Sequence, residues 1–305
     1  MTTLQPGPTR VGLVGRTVGR LPPTTYFLTS AVFHYLGPSL AVLLFVHVGA
    51  LGVAWLRIAS AALLLGLWRR PWRLLARLDR RQRLLLLALG AVLAAMNSLF
   101  YLAVARLPLA TVGAVEFLGT ILLAALGVRS RRNLIALAVA VGGVATLTEV
   151  RVDGSGLGFL FAFGNCALFL LYVVLAARIA TADRADGKPG PGASTGGIDR
   201  LAAAMVIAAV AATPIGLPAA IPAFGHPWWL LWGVGVGICS SVIPYLTDQL
   251  ALARLPRATF ALLLALLPAA AAVLGLIILH QVPTLTELAG IALVVGGILL
   301  HRERG

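Results

Sequence analysis

Ala105-Arg106-Leu107-Pro108-Leu109-Ala110-Thr111 returns 148 positions later as Ala253-Arg254-Leu255-Pro256-Arg257-Ala258-Thr259. Each copy joins two long apolar runs, in a chain of 305 residues that is 60% hydrophobic. The flanks align at the same offset: Ala103 with Ala251, Ala114 with Leu262, and Gly127 with Gly275. A repeat close to half the chain length predicts two copies of one membrane unit, the usual plan of secondary transporters.

Working outward, a helix that crosses a bilayer needs about 20 mostly apolar residues. Ten runs qualify: 25–46, 49–68, 84–105, 108–128, 133–149, 156–178, 201–220, 228–252, 256–279 and 285–301. The expected fold is an all-α integral membrane protein of ten transmembrane helices in two five-helix repeats, 25–149 and 156–301. An odd number of crossings per repeat inverts the second copy relative to the first.

Charge tests the inversion. With residues 1–24 as a cytoplasmic tail, 21 basic residues fall in inside segments, and only Arg106 and Arg151 fall outside. That bias is the positive-inside pattern. It places both termini in the cytoplasm of a cell (inner) membrane protein, the first Ala-Arg-Leu-Pro hairpin outside and the second inside. Arg10, Arg16 and Arg20 precede a first apolar run with no small-x-small cleavage site, which predicts an uncleaved first helix. Residues 183–200, rich in Gly, Pro, Ser and Asp, read as a flexible cytoplasmic loop, and 149–155 as a short linker between the halves. Pro108 and Pro256 suit the first turn of a following helix, and Pro244 and Pro268 are expected to kink theirs. Gly142-Gly143 and Gly296-Gly297 offer close helix packing.

Composition excludes other classes. Mean hydropathy is +0.97 with only 11% charged residues, against roughly 25% in soluble chains. The net charge of +14 is dispersed between apolar runs, so it reads as orientation signal and lipid-headgroup contact, with no nucleic-acid partner. Cys166 and Cys239 lie in apolar runs and are expected as free, buried thiols. There is no phosphate loop, no His-Glu-x-x-His and no Gly-x-Ser-x-Gly. No cofactor, no metal site and no enzymatic activity are therefore expected, and gradient-driven transport of a small molecule is favoured over a pump. The oligomeric state stays open, a monomer included.

Ionisable groups inside the membrane are functional candidates because each is costly there. Arg57, Asn97 and Glu116 each fall about nine residues from the outer end of their run, or roughly 13 Å deep in a core of about 30 Å. Together they suit a zwitterion: Arg57 for a carboxylate, Glu116 for an ammonium, Asn97 for a further polar contact. Tyr245 stands at the repeat position of Asn97 and joins the substrate-binding candidates. Glu116 is also a candidate for carrying a coupling proton. Asp248, one turn from the inner end of its run, is a candidate for coupling or gating, or for snorkelling with Arg254. The bland alternative stays open: Arg57 and Glu116 pair only with each other and fix helix packing. Asn165, Tyr172, His34 and His47 read mainly as packing or interfacial residues.

These segments resemble a known family. Met96-Asn97-Ser98-Leu99-Phe100-Tyr101, Leu107-Pro108 and Val115-Glu116-Phe117-Leu118-Gly119 are similar to the threonine/homoserine-exporter branch of the EamA group, in the drug/metabolite transporter superfamily. So are Leu44-Phe45, Val48-Gly49-Ala50, Leu56-Arg57, Pro244-Tyr245, Ala253-Arg254-Leu255-Pro256 and Pro268-Ala269. The resemblance spans nearly all ten runs. It implies inverted repeats, a central cavity, and export of small amino acids or related metabolites. It also implies polar positions at Arg57, Asn97, Glu116 and Asp248. Three departures stand out: Leu267 in place of an acid before Pro268, Thr120 in place of a proline, and His280-Gln281 in place of Gly-Glu. The rival readings are a drug, metabolite or nucleotide-sugar carrier of the same superfamily, an intramembrane enzyme, and a non-transporting scaffold.

Overall fold

Apolar runs with every backbone group bonded inside the segment fold as helices in a bilayer, since no water is there to satisfy a strand edge. The computed structural model describes residues 23–127, 130–149, 156–185, 196–252 and 266–300. Its elements are α1 Pro23–Val48, α2 Ala50–Arg69, α3 Trp72–Arg77, α4 Arg80–Val104, α5 Leu109–Gly127, α6 Arg131–Glu149, α7 Gly156–Ala185 and α8 Gly196–Phe224. Then come α9 Pro227–Gly237, a π turn Ile238–Val242, α10 Ile243–Leu252, α11 Leu266–Leu279 and α12 Leu285–Leu300. Among the described residues, six helical stretches are long and apolar enough to cross a membrane: Leu28–Val48, Ala50–Arg69, Arg80–Val104, Gly156–Ile179, Gly197–Phe224 and Pro227–Asp248. Leu63, Leu67, Val210, Ile215 and Leu231 are each more than half exposed on the outside of the bundle, as lipid-facing side chains would be.

Several expectations fall outside the described residues. These are the tail 1–22, the linker 150–155, the centre of the predicted loop at 186–195, and the whole second Ala-Arg-Leu-Pro copy at 253–259. Arg254 goes with them. The flanks of the predicted loop are corrected: α7 runs to Ala185 and α8 begins at Gly196. Asp199, expected in the loop, sits in the first turn of α8 and pairs with Arg69 at 2.6 Å. The short helix α3 in the Arg-rich segment after α2 has no counterpart in the ten runs.

Helix ends follow local chemistry. Gly49 at φ +70° turns α1 into α2 in a single residue. Asp79 caps α4 by accepting from the Gln82 N–H at 2.6 Å. Ser130 does the same for α6 through the Asn133 N–H at 3.1 Å. Gln281 reaches across from the α11–α12 connection, and its Oε1 accepts from the Leu109 N–H at 3.1 Å, capping α5. His280 beside it adopts φ +55°, a left-handed conformation that favours glycine. Pro268 lies on α11, and the helical turn before it, where the expected kink would show, falls outside the described residues.

Small residues set the packing. A Cβ on Gly52 would meet the Ala219 carbonyl oxygen at 2.5 Å, and one on Gly216 would meet Trp55 Cβ at 2.5 Å, so α2 and α8 touch backbone to backbone. Trp55 Nε1 adds a hydrogen bond to Thr213 Oγ1 at 3.0 Å. Helices α6 and α12 meet at Gly143 and Gly290, where a Cβ on Gly143 would lie 2.7 Å from the Gly290 carbonyl oxygen. Lipid tails are as apolar as leucine, so close packing of this kind, more than apolar burial, holds helices together. Within the two predicted glycine pairs only Gly143 and Gly297 are tightly packed. Gly142 and Gly296 face open space.

Candidate functional site

Helices α1, α2, α4, α5 and α7 and the π turn bring a polar cluster together inside the bundle. Arg57, on α2, is 8% exposed. Its Nε donates to Ser241 Oγ at 3.1 Å and its Nη2 to the Ser240 carbonyl oxygen at 3.1 Å. Its guanidinium carbon lies 5.5 Å from the centroid of the Tyr101 ring. These contacts offset the cost of a cation at this depth.

The acceptor for Arg57 follows from the local sequence. In a regular helix the Ser240 carbonyl would bond the N–H of residue 244, and Pro244 has none. The chain winds as a π turn here, with the Ile243 N–H bonded to the Ile238 carbonyl. Such turns concentrate at functional sites because they re-aim backbone groups. Arg57 takes the carbonyl that the proline leaves without its α-helical donor. The kink expected at Pro244 is in this way a change of helical winding.

Glu116, on α5, is half-buried and forms no ion pair with Arg57 among the described residues. The charge of Arg57 nonetheless acts on it, and the Asn165 amide lies beside it. Tyr35, Cys166 and Tyr245 are also within electrostatic reach of its carboxyl. Tyr245 further feels Arg57 and Asp248, and Asp248 lies beside Ser30. The geometry therefore gathers Arg57, Glu116, Tyr245 and Asp248 into one electrostatic neighbourhood. Asn97 is 4% exposed, and its Nδ2 donates to the Leu93 carbonyl oxygen of its own helix at 2.7 Å. That bond holds the amide N–H against α4.

Residues read from the sequence as packing or left unread prove more prominent. Among the described residues the Tyr35 and Tyr101 hydroxyls, His34 Nδ1 and Ser240 Oγ are buried with no hydrogen-bond partner, and the buried Asn165 amide has none but the Glu116 carboxyl. The Tyr35 hydroxyl lies against Gly113, where a Cβ would come within 2.8 Å of it. Gly113 is one helical turn before Glu116. Ser240 Oγ instead packs on the backbone of Gly37. Tyr172 stacks on Phe169, and His47 on Trp229 at 4.6 Å, as packing and interfacial roles require. Cys166 is buried and Cys239 only half-buried, both free.

A cavity of about 510 Å³ lies to one side of this cluster. Phe45, Arg106, Thr111, Gln281 and Glu287 are among its lining residues, and Arg57 and Glu116 are not. Phe45 meets the Tyr101 ring edge-on at 5.8 Å, so these two aromatics stand between the cavity and Arg57. Glu287, 3% exposed, was legible as a Thr-x-x-Glu capping box. Its Oε2 accepts from the Thr284 N–H at 2.9 Å, and Thr284 Oγ1 accepts from the Glu287 N–H at 3.2 Å. Among the described residues no group of His, Cys, Asp and Glu is arranged to hold a metal.

Comparison with known proteins fits this arrangement. A model of the EamA-like transporter family matches residues 191–302. The threonine/homoserine exporter RhtA of Salmonella typhimurium (strain LT2) is 37% identical over 260 residues, covering 84% of this chain and 82% of its own. RhtA of Escherichia coli (strain K12) is 35% identical over 262 residues, covering 85% and 84%. The chain belongs to the EamA-like transporter family. A solved structure, titled only as the crystal structure of a protein, superposes with a TM-score of 0.51 at 19% identity. It covers 91% of this chain and 96% of its own, and shows a shared fold. The resemblance of the Arg57, Glu116 and Pro244-Tyr245 segments is thus joined by contacts linking them in space.

Proposed function

We propose that this EamA-like transporter is an inner-membrane secondary carrier that exports small amino acids of the threonine or homoserine kind. One observation carries the reading: Arg57 and Glu116 share a buried polar cluster without forming an ion pair. Two opposite charges that do not neutralise each other suit a zwitterion, with its carboxylate on Arg57 and its ammonium on Glu116. Arg57 spends two N–H groups on Ser240 and Ser241. Its remaining N–H groups meet the planar, two-oxygen geometry of a carboxylate. Tyr245 closes the site on the α10 side. The relatives are exporters of threonine and homoserine, which supports the cargo class.

Alternating access coupled to protons is the proposed mechanism, with Glu116 and Asp248 as the acids that exchange the proton. The cavity beyond Phe45 is the proposed outer vestibule. Ten helices in two inverted repeats, with both termini cytoplasmic, are the proposed topology, supported by the bias of basic residues. The test is efflux from proteoliposomes loaded with labelled threonine or homoserine, with and without a pH gradient. Gradient-accelerated efflux is expected. No efflux of any small amino acid, alongside export of a cationic drug or nucleotide sugar, would transfer the chain to the rival cargo class.

A further inference from the structure

A buried polar group is normally hydrogen-bonded. Tyr35 and Asn165 fall short of this rule together. They are 1% exposed each and come from different helices; among the described residues the Tyr35 hydroxyl has no hydrogen-bond partner, and the Asn165 amide has none but the Glu116 carboxyl beside it. Both flank the same carboxyl. Asn165 lies beside Glu116, and the Tyr35 hydroxyl lies against Gly113, one turn away on the same helix. The absence of a side chain at Gly113 is what admits that hydroxyl to α5. The cost of an orphaned hydroxyl beside an incompletely bonded amide is recovered when a ligand completes both.

We infer that Tyr35 and Asn165 form a subsite that recognises a hydroxyl on the side chain of the cargo. The inference rests on the reading of Arg57 and Glu116 as the carboxylate and ammonium sites. A cargo hydroxyl both donates and accepts one hydrogen bond. The Asn165 amide offers one group of each kind, and the Tyr35 phenol either. With the ammonium on Glu116, a hydroxyl one or two carbons away falls beside these two side chains. Tyr101, whose ring faces the Arg57 guanidinium, belongs to the carboxylate end. A site built to bond a hydroxyl discriminates strongly against an isostere that lacks it, because its own polar groups are then left unpaired.

The test compares threonine with valine, its isostere without the hydroxyl, in efflux from proteoliposomes containing the wild-type chain, Asn165→Leu or Tyr35→Phe. Wild type is expected to favour threonine over valine by about tenfold or more. Each variant is expected to lower the threonine-to-valine ratio by about tenfold. Thermal unfolding in detergent supplies the second readout. Removing the orphaned Tyr35 hydroxyl should leave the melting temperature unchanged or raised, whereas a packing role would lower it. A wild type that exports both equally, or variants that lose both cargoes in proportion, would overturn the subsite and leave the amino-acid reading standing. A wild type that exports neither, nor any other small amino acid, would overturn both.

Discussion

Glu116→Gln separates a binding carboxylate from a structural one. Breaking a true buried ion pair strands the surviving charge and costs about 3–5 kcal/mol. Here Glu116 forms no ion pair, and Arg57 keeps Ser241 Oγ, the Ser240 carbonyl oxygen and the Tyr101 ring whatever happens at position 116. The neutral amide also keeps the shape of the carboxyl beside Asn165. The expected loss of stability is therefore below about 1 kcal/mol, the scale of one ordinary hydrogen bond. Export is expected to collapse all the same, because the ammonium site and a proton-exchanging group go together. The assay pairs efflux from proteoliposomes with denaturant unfolding of the purified protein. The double change Arg57→Met with Glu116→Leu is the control. A structural pair replaced by apolar groups of similar size can stay folded and active. A binding site cannot lose both charges and still work. Loss of 3 kcal/mol or more in the single variant, or robust export by the double one, would refute the reasoning.

Gly143→Ala should loosen α6 from α12, since the new Cβ would sit 2.7 Å from a carbonyl oxygen that cannot turn aside. Gly142→Ala should be neutral or stabilise by about 0.5–1 kcal/mol through helix propensity. Unfolding midpoints that fail to separate the two would contradict the packing. His280→Gly should stabilise by about 1 kcal/mol by relieving a left-handed residue, read from the same unfolding curves. For topology, single cysteines at Ser155 and Phe224 in a cysteine-free background should react with an impermeant reagent from outside, and those at Ser130 and Ser194 should not. Reversed labelling at Ser130 and Ser155 would remove the inverted-repeat proposal.

Much of the helical framework was legible because a bilayer demands long apolar runs, and the runs at 49–68 and 285–301 match α2 and α12 to within about a residue. Arg57 and Glu116 were legible because charge inside such a run is costly. Asn97 shows the limit of arguing from depth: three polar groups at one level need not face one another, since helix rotation is set by packing. Its amide N–H turns back on Leu93 of α4. Tyr35 and Asn165 looked like packing because a single polar residue on an apolar helix usually finds a partner; the Tyr35 hydroxyl finds none among the described residues, and Asn165 finds only the Glu116 carboxyl. The π turn was hidden for a related reason. Pro244 announces a missing donor, but nothing in the local sequence says that an arginine nearly two hundred residues earlier supplies another.

The closest backbone approaches at glycines, Gly52 on Ala219, Gly37 on Ser240 and Gly143 on Gly290, all join residues 23–149 to residues 156–300. None of the three lies within a half. If the chain arose by duplication of a half-length gene and the proposed inverted topology holds, its ancestor already needed these notches filled, and a second copy lying upside down would have filled them. A dual-topology homodimer would then have preceded the fused gene, and fusion would have freed each copy to diverge. Arg57 and Glu116 would have accumulated on one side of that divide, and the Ser240-Ser241 anchor on the other.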